Sequence, residues 1–316
     1  MKAVIFDEAL RYVPDQAEPE ARPGWRRIRV TTAGICKTDL EIVKGYMGFR
    51  GILGHEFVGR IEAPDGRPGA RVVGEINAAC GVCDRCAQGL GRHCPKRSTL
   101  GIFNLDGCMA EVCVLPAANL VKVPDELPDD RAVLIEPLSA ACEILEQHPL
   151  RGSERVIVLG DGKLGLLCAW VLSTAAAEVT LVGKHPEKLA QAGWRTLRTA
   201  LADEPIAPGA DLVVEATGSA AGLARAIELC RPRGAIALKS TVAAPHQLSL
   251  APVVINEITL FGSRCGQFQD GLAWLARYPD APLERLIAAR YPIDQALEAF
   301  HQAAGTSLKV LLDIGG

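Results

Sequence analysis

Four cysteines crowd one short stretch of this 316-residue chain: Cys80, Cys83 and Cys86 at C-x-x-C-x-x-C spacing, followed by Cys94. Four soft thiolates on one loop suit tetrahedral zinc with every coordination position filled, a site that staples a lobe and performs no chemistry. An iron–sulfur cluster also uses closely spaced cysteines, and free buried thiols are a third reading. Cys108, Cys113, Cys142, Cys168, Cys230 and Cys265 stand singly in apolar surroundings and read as small core residues.

A second signal is GDGKLG, from Gly160 to Gly165, directly after an apolar strand and at the start of a helical stretch. In this setting G-x-G-x-x-G is a dinucleotide turn. Gly160 permits the tight turn, Gly162 lets a pyrophosphate approach the backbone, and Gly165 lets helix and strand pack closely, with Lys163 and Leu164 between them. The helix start then offers free amides and a positive dipole to phosphates. Thr217 and Gly218, closing the strand DLVVEATG, are counted to the same site. The acid that usually binds the adenosine ribose is expected about 20 residues on. Gly183 stands there, followed by Lys184, His185 and Lys188. A missing carboxylate with cations beside it suits a 2′-phosphate, so NADP is expected in preference to NAD.

Three further segments carry metal-binding side chains: GICKTDLE (Gly34 to Glu41), GHEFVG (Gly54 to Gly59) and IEPLSAACE (Ile135 to Glu143). Cys36, His55 and Glu136 would give one sulfur, one nitrogen and one oxygen, leaving a position open for water or substrate as a catalytic zinc requires. Pro137 disfavours helical backbone at Glu136, so a break there would turn the carboxylate inward. Taken singly, each residue also has a plain reading: a core cysteine, a turn histidine, a solvated glutamate. Spacing alone does not join them.

The elements that must hold these groups change character near residue 150. Before it, short strands alternate with turns (RRIRVTTAGI, HEFVGRIEA, ARVVGEI, AEVCVL), a barrel-like antiparallel pattern. Beyond it, apolar strands (RVIVLG, VTLVG, DLVVEATG, GAIALKS, ITLFGSR) alternate with helices near 164–177 and 221–230, which predicts βαβ units and a buried parallel sheet. A helix near 294–303 and the strand SLKVLLDI follow, and PHQLSL from Pro245 reads as punctuation within a domain. ITLFG either lies inside the sheet or pairs across a dimer.

Length suggests about two domains. Lys and Arg total 34 against 37 Asp and Glu, a net charge of −3, which argues against a nucleic-acid or anionic-membrane surface. The opening MKAVIF passes to Asp7 and Glu8 without a signal-peptide apolar core, and no apolar run approaches the length of a membrane helix. Eleven cysteines without an export signal point to a reducing cytoplasm.

The order GICKTDLE, GHEFVG, C-x-x-C-x-x-C…C, IEPLSA, GDGKLG resembles the zinc-dependent medium-chain alcohol and polyol dehydrogenases along essentially the whole chain. That resemblance implies an α/β fold in which a GroES-like β-barrel catalytic domain (1–149 and 282–316) is interrupted by a doubly wound Rossmann domain (150–281). It implies Cys36, His55 and Glu136 as catalytic zinc ligands, with Glu56 a nearby carboxylate able to bind zinc directly. Cys80, Cys83, Cys86 and Cys94 would hold a structural zinc, making two per chain. Thr38 would relay the substrate proton, and Asp39 would orient the ligating histidine. Glu136 where ethanol-type enzymes have cysteine resembles the polyol, glucose and threonine branches. Glu41 replaces the histidine that ends the proton relay in some members, and GYMGFRGILG is short, so pocket walls such as Met47 and Phe49 do not transfer. The expected substrate is a small alcohol or its carbonyl, and the expected assembly a homodimer or homotetramer. A zinc-free quinone or enone reductase on the same fold, and a non-catalytic NADP-binding redox sensor, are the alternatives.

Overall fold

The computed structural model describes residues 1–63, 68–241 and 248–315. Residues 245–247 of PHQLSL and Gly316 lie outside them. Two compact units divide the chain: Met1–Glu136 with Leu286–Gly316, and Pro137–Arg285.

In the first unit, β1 (Trp25–Ile35) leads into helix α1 (Lys37–Val43). Strands β2 (Glu56–Glu62), β3 (Pro68–Gly74), β4 (Val112–Pro116) and β5 (Leu120–Lys122) follow. The first half of β1 alternates, with Ile28 and Val30 buried and Arg29 exposed, as befits a sheet wet on one face. A bulge between Val30 and Thr32 ends the alternation, and Thr32 to Ile35 are all buried. That buried end carries the site.

The second unit opens with helix α2 (Ile135–Gln147), whose first two residues are counted with the first unit. Its parallel sheet contains β6 (Arg155–Leu159), β7 (Glu178–Gly183), β8 (Arg198–Leu201), β9 (Ala210–Glu215), β10 (Cys230–Leu238) and β11 (Thr259–Gly262). The strand order is β8-β7-β6-β9-β10-β11. This is the doubly wound order in which the chain reverses direction beside the first strand. The middle strands are buried on both faces, with Ile157, Val158, Val213, Val214 and Ile236 fully enclosed. β11 is the edge of this sheet, not an inner strand. Helix α3 (Lys163–Leu172) stops short of Ala177, because the hydroxyls of Ser173 and Thr174 donate to the carbonyls of Trp170 and Val171.

The chain then returns to the first unit with β12 (Ile287–Pro292), helix α6 (Ala296–Ala304) and β13 (Lys309–Asp313), the shorter helices α4 (Pro186–Leu189) and α5 (Gly222–Leu229) having flanked the parallel sheet. β13 pairs antiparallel with β1, Leu311 opposite Gly34, and the sheet runs β5-β3-β2-β1-β13-β12 with β4 also on β1.

The unit boundaries differ from the expected 149/150 and 281/282. The first moves because α2 packs with the second unit: Lys239 donates to the carbonyl of Ala140 (2.7 Å), and Gly266 lies against the carbonyl of Ser139. Helix α2 also corrects the expected break at Pro137. Pro137 falls in the first turn, where its missing amide would have had no intrahelical acceptor, so Glu136 is helical. No helix among the described residues is long and apolar enough to cross a membrane.

Candidate active site

Pairing of β1 with β2 sets Gly34 opposite Glu56, which brings Cys36, just past the end of β1, beside His55, just before β2. A sulfur of Cys36, a ring nitrogen of His55 and a carboxylate oxygen of Glu56 lie within 4.8 Å of one another, His55 and Glu56 buried. Asp39, fully buried in the first turn of α1, steadies two of the three. Its Oδ2 accepts from the Cys36 amide at 2.7 Å, and its Oδ1 lies 3.3 Å from His55 Nδ1. Burial disfavours a charged His55 ring, yet the negative groups Asp39 and Cys36 hold its pKa well above the ordinary value. A metal ion must displace that proton, so binding here releases protons. Thr38 Oγ1 sits 3.7 Å from Cys36 Sγ.

Of the two carboxylates expected near the metal, Glu56 is the one that converges with Cys36 and His55. Held in the first turn of α2, Glu136 stands outside the group, although its charge contributes to the field at Lys309. Sequence reading missed Lys309 altogether. It is fully buried on β13 and forms an ion pair with Glu56, itself fully buried. The pair crosses β1 at Gly34, where a side-chain Cβ would lie 2.6 Å from Glu56 Oε2 and 3.5 Å from Lys309 Cδ. Burial opposes the charge on Lys309, but Glu56 and Cys36 outweigh it and hold the pKa above its usual value. Glu41 sits on the exposed side of α1 between Lys37 (3.3 Å) and Lys44 (3.2 Å). Those ammonium groups, outweighing partial burial, keep it a carboxylate at neutral pH. Met47 and Phe49 line a cleft of about 430 Å³ with Arg50, Phe103 and Asp106, none of them a candidate ligand.

The four lobe cysteines also converge within 4.8 Å. One helical turn, Asp84–Ala87, closed by the Ala87 amide on the Cys83 carbonyl, sets Cys83 Sγ 3.5 Å from Cys86 Sγ. Cys94 Sγ lies 3.7 Å from Cys83 and 3.5 Å from Cys80. A tetrahedral zinc with bonds of about 2.3 Å spaces its sulfurs about 3.8 Å apart, so the cage fits the ion, whereas a disulfide needs about 2.05 Å. The amide of Val82 favours the Cys80 thiolate, holding its pKa down to about 6. Cys83→Ser is expected to lose one zinc per chain and to lower the melting temperature. A cost of about 2 kcal/mol shows as about 4–8 °C in a unit of this size. Unchanged melting with that zinc gone would contradict a structural role.

The dinucleotide turn has the geometry its glycines require. Gly160 adopts φ +113°, and a Cβ on Gly165 would lie 1.8 Å from the Gly160 carbonyl. A Cβ on Gly162 would meet nothing within 4 Å, which leaves the face of the turn open to a ligand at the start of α3. A helix start in general presents first-turn amides for which the helix itself has no acceptor. Thr217 and Gly218 are engaged in the neighbouring loop. Thr217 donates from its amide (2.8 Å) and hydroxyl (2.6 Å) to Glu215, and the Gly218 amide donates to Ser240 Oγ (2.8 Å). Lys184 is exposed and Lys188 half-buried. Gly183 ends β7 as the sequence has it, and a carboxylate stands beside it, supplied by Asp161 from within the turn. Asp161 accepts from the amides of Lys184 (2.6 Å) and His185 (2.7 Å). Counting forward from the turn could not reveal an acid lying inside it.

Residues 22–125 match the alcohol dehydrogenase GroES-like domain, and residues 129–314 the glucose dehydrogenase C-terminus. The chain belongs to the zinc-type medium-chain dehydrogenase family. Within it, an L-threonine 3-dehydrogenase of Streptomyces avermitilis is 31% identical, the match covering 99% of each chain. The alcohol dehydrogenase RspB of Escherichia coli CFT073, solved with NADH, has a TM-score of 0.90 at 26% identity over 99% of each chain. A zinc-binding dehydrogenase of Sinorhizobium meliloti 1021, solved with NADP, has a TM-score of 0.86 at 26% identity, covering 99% of this chain and 98% of that one. The doubly wound sheet and GroES-like portion of the present chain are thus those of a medium-chain dehydrogenase.

Proposed function

We propose that this medium-chain dehydrogenase interconverts a small alcohol or polyol and its carbonyl compound: alcohol + NAD(P)⁺ ⇌ carbonyl + NAD(P)H + H⁺. The observation that carries the reading is the convergence of one thiolate, one imidazole and one carboxylate in a chain that also has an open dinucleotide turn. Cys36, His55 and Glu56 fit a zinc ion with a position left for substrate. Zinc so bound supplies Lewis acidity, the property that lowers the pKa of coordinated water from about 15.7 to about 7. Asp39 keeps Cys36 and His55 in register, and the Thr38 hydroxyl relays the substrate proton, accepting it while passing its own to water. Lys309 compensates the charge of Glu56 at a depth where water cannot. A second zinc in the four-cysteine cage serves stability alone. The zinc-free reductase and the redox sensor have no use for the Cys36–His55–Glu56 cluster.

The protein is proposed to work in the cytoplasm on a small-molecule substrate, as a homodimer or homotetramer. The edge position of β11 leaves its outer side able to pair with a second copy.

The test is a turnover screen of alcohols, polyols and amino alcohols with both cofactors, run on zinc-loaded and chelator-treated protein. Reduced nicotinamide should accumulate with at least one substrate, be lost on chelation and return with zinc. Turnover indifferent to metal, or none with any substrate, would count against the proposal.

A further inference from the structure

Gly183 and Asp161 are two halves of one exchange. A Cβ on residue 183 would lie 2.4 Å from both Cβ and Oδ2 of Asp161 and 2.6 Å from its Cγ. The Asp161 carboxyl group therefore occupies the space that a side chain at the end of β7 would fill, and only glycine at 183 admits it. The acid has moved from the strand end to the turn without leaving the place where an adenosine ribose is read. From this position, and resting on the reading that the turn takes a nicotinamide dinucleotide, we propose that Asp161 is the specificity-determining carboxylate and that it selects NAD(H) over NADP(H).

The surroundings fix both its place and its charge. Two backbone amides, those of Lys184 and His185, converge on Oδ2. The ring nitrogen Nδ1 of His185 sits 3.0 Å from Oδ2 and 3.1 Å from Oδ1. Burial would favour the neutral acid, but these hydrogen bonds, led by the His185 amide and ring, outweigh it and lower the pKa. Each contact also removes something a 2′-phosphate would use. The His185 ring is turned onto Asp161, and the amides of Lys184 and His185, just before α4, are already engaged. A 2′-phosphate, carrying nearly two negative charges, would meet a fixed negative group. A 2′-hydroxyl can instead donate to Oδ1, whose contact is with His185 alone among the described residues. Lys184 and Lys188 work the other way. Ammonium groups on flexible stems, Lys184 exposed and Lys188 half-buried, attract phosphate weakly beside a carboxylate held by backbone amides.

Direct binding tests this without relying on turnover. NADH and NADPH are titrated into the zinc-loaded protein, following the fluorescence of the reduced nicotinamide. NADH should bind about tenfold tighter or more, the scale of one unfavourable charge contact. Asp161→Asn keeps an oxygen acceptor for the two amides while removing the charge, and should bring the two affinities within about threefold of each other. Asp161→Ser should do the same where the asparagine variant folds poorly. Equal or tighter binding of NADPH by the parent protein overturns the proposal, as does a ratio unchanged in a folded Asp161→Asn. Failure of the parent to bind either nucleotide overturns the dinucleotide reading itself, and with it this inference.

Discussion

Cys36→Ser is expected to cut turnover by about three orders of magnitude or more, remove one zinc per chain and leave the melting temperature within a few degrees of the parent's. The size follows from the metal's part in the reaction: polarising the substrate oxygen is worth several kcal/mol, and each 1.36 kcal/mol is tenfold in rate. Stability should hold for a local reason. Cys36 precedes α1 in extended backbone, and what ties it there is its amide donating to Asp39, which serine keeps. Serine is also a better residue than cysteine at that helix start. Steady-state kinetics, metal analysis and thermal melting on one preparation separate the outcomes. Retained turnover would dissociate the cluster from catalysis, and loss of both zincs with unfolding would make Cys36 structural.

In the metal-free protein Lys309→Met should cost about 3–5 kcal/mol, because it leaves Glu56 charged and fully enclosed without its cation. Replacing both members, Glu56→Gln with Lys309→Met, should recover much of that loss, since a neutral pair of similar volume has no stranded charge. The shift of the urea midpoint measures both. A single variant as stable as its parent would mean that water already compensates Glu56, and that the ion pair is incidental.

How far the sequence disclosed this arrangement depended on how far apart along the chain the cooperating residues lie. The four-cysteine cage and the glycine turn are local, each formed within a short stretch, so spacing alone announced them. The Cys36–His55 pairing is made by strand register, Gly34 against Glu56, and only family resemblance joined those residues beforehand. The expected break at Glu136 is absent because Pro137 falls in the first turn of α2, and a proline inside a helix and one in its first turn look the same until the helix start is known. Lys309 lies 253 residues beyond Glu56 and reaches it only because β13 returns to β1, a closure that no local pattern encodes. Asp161 was passed over because it occupies a variable position of the glycine motif, where any residue type is allowed. Its role appears only from the space it takes at Gly183.

Diffraction data collected at the zinc absorption edge from crystals of active protein would locate each ion directly. Two anomalous peaks per chain are expected, one inside the Cys80, Cys83, Cys86 and Cys94 cage and one touching Cys36, His55 and a carboxylate. An actively turning-over preparation whose zinc lies only in the four-cysteine cage would contradict the assignment of chemistry to the Cys36–His55–Glu56 cluster.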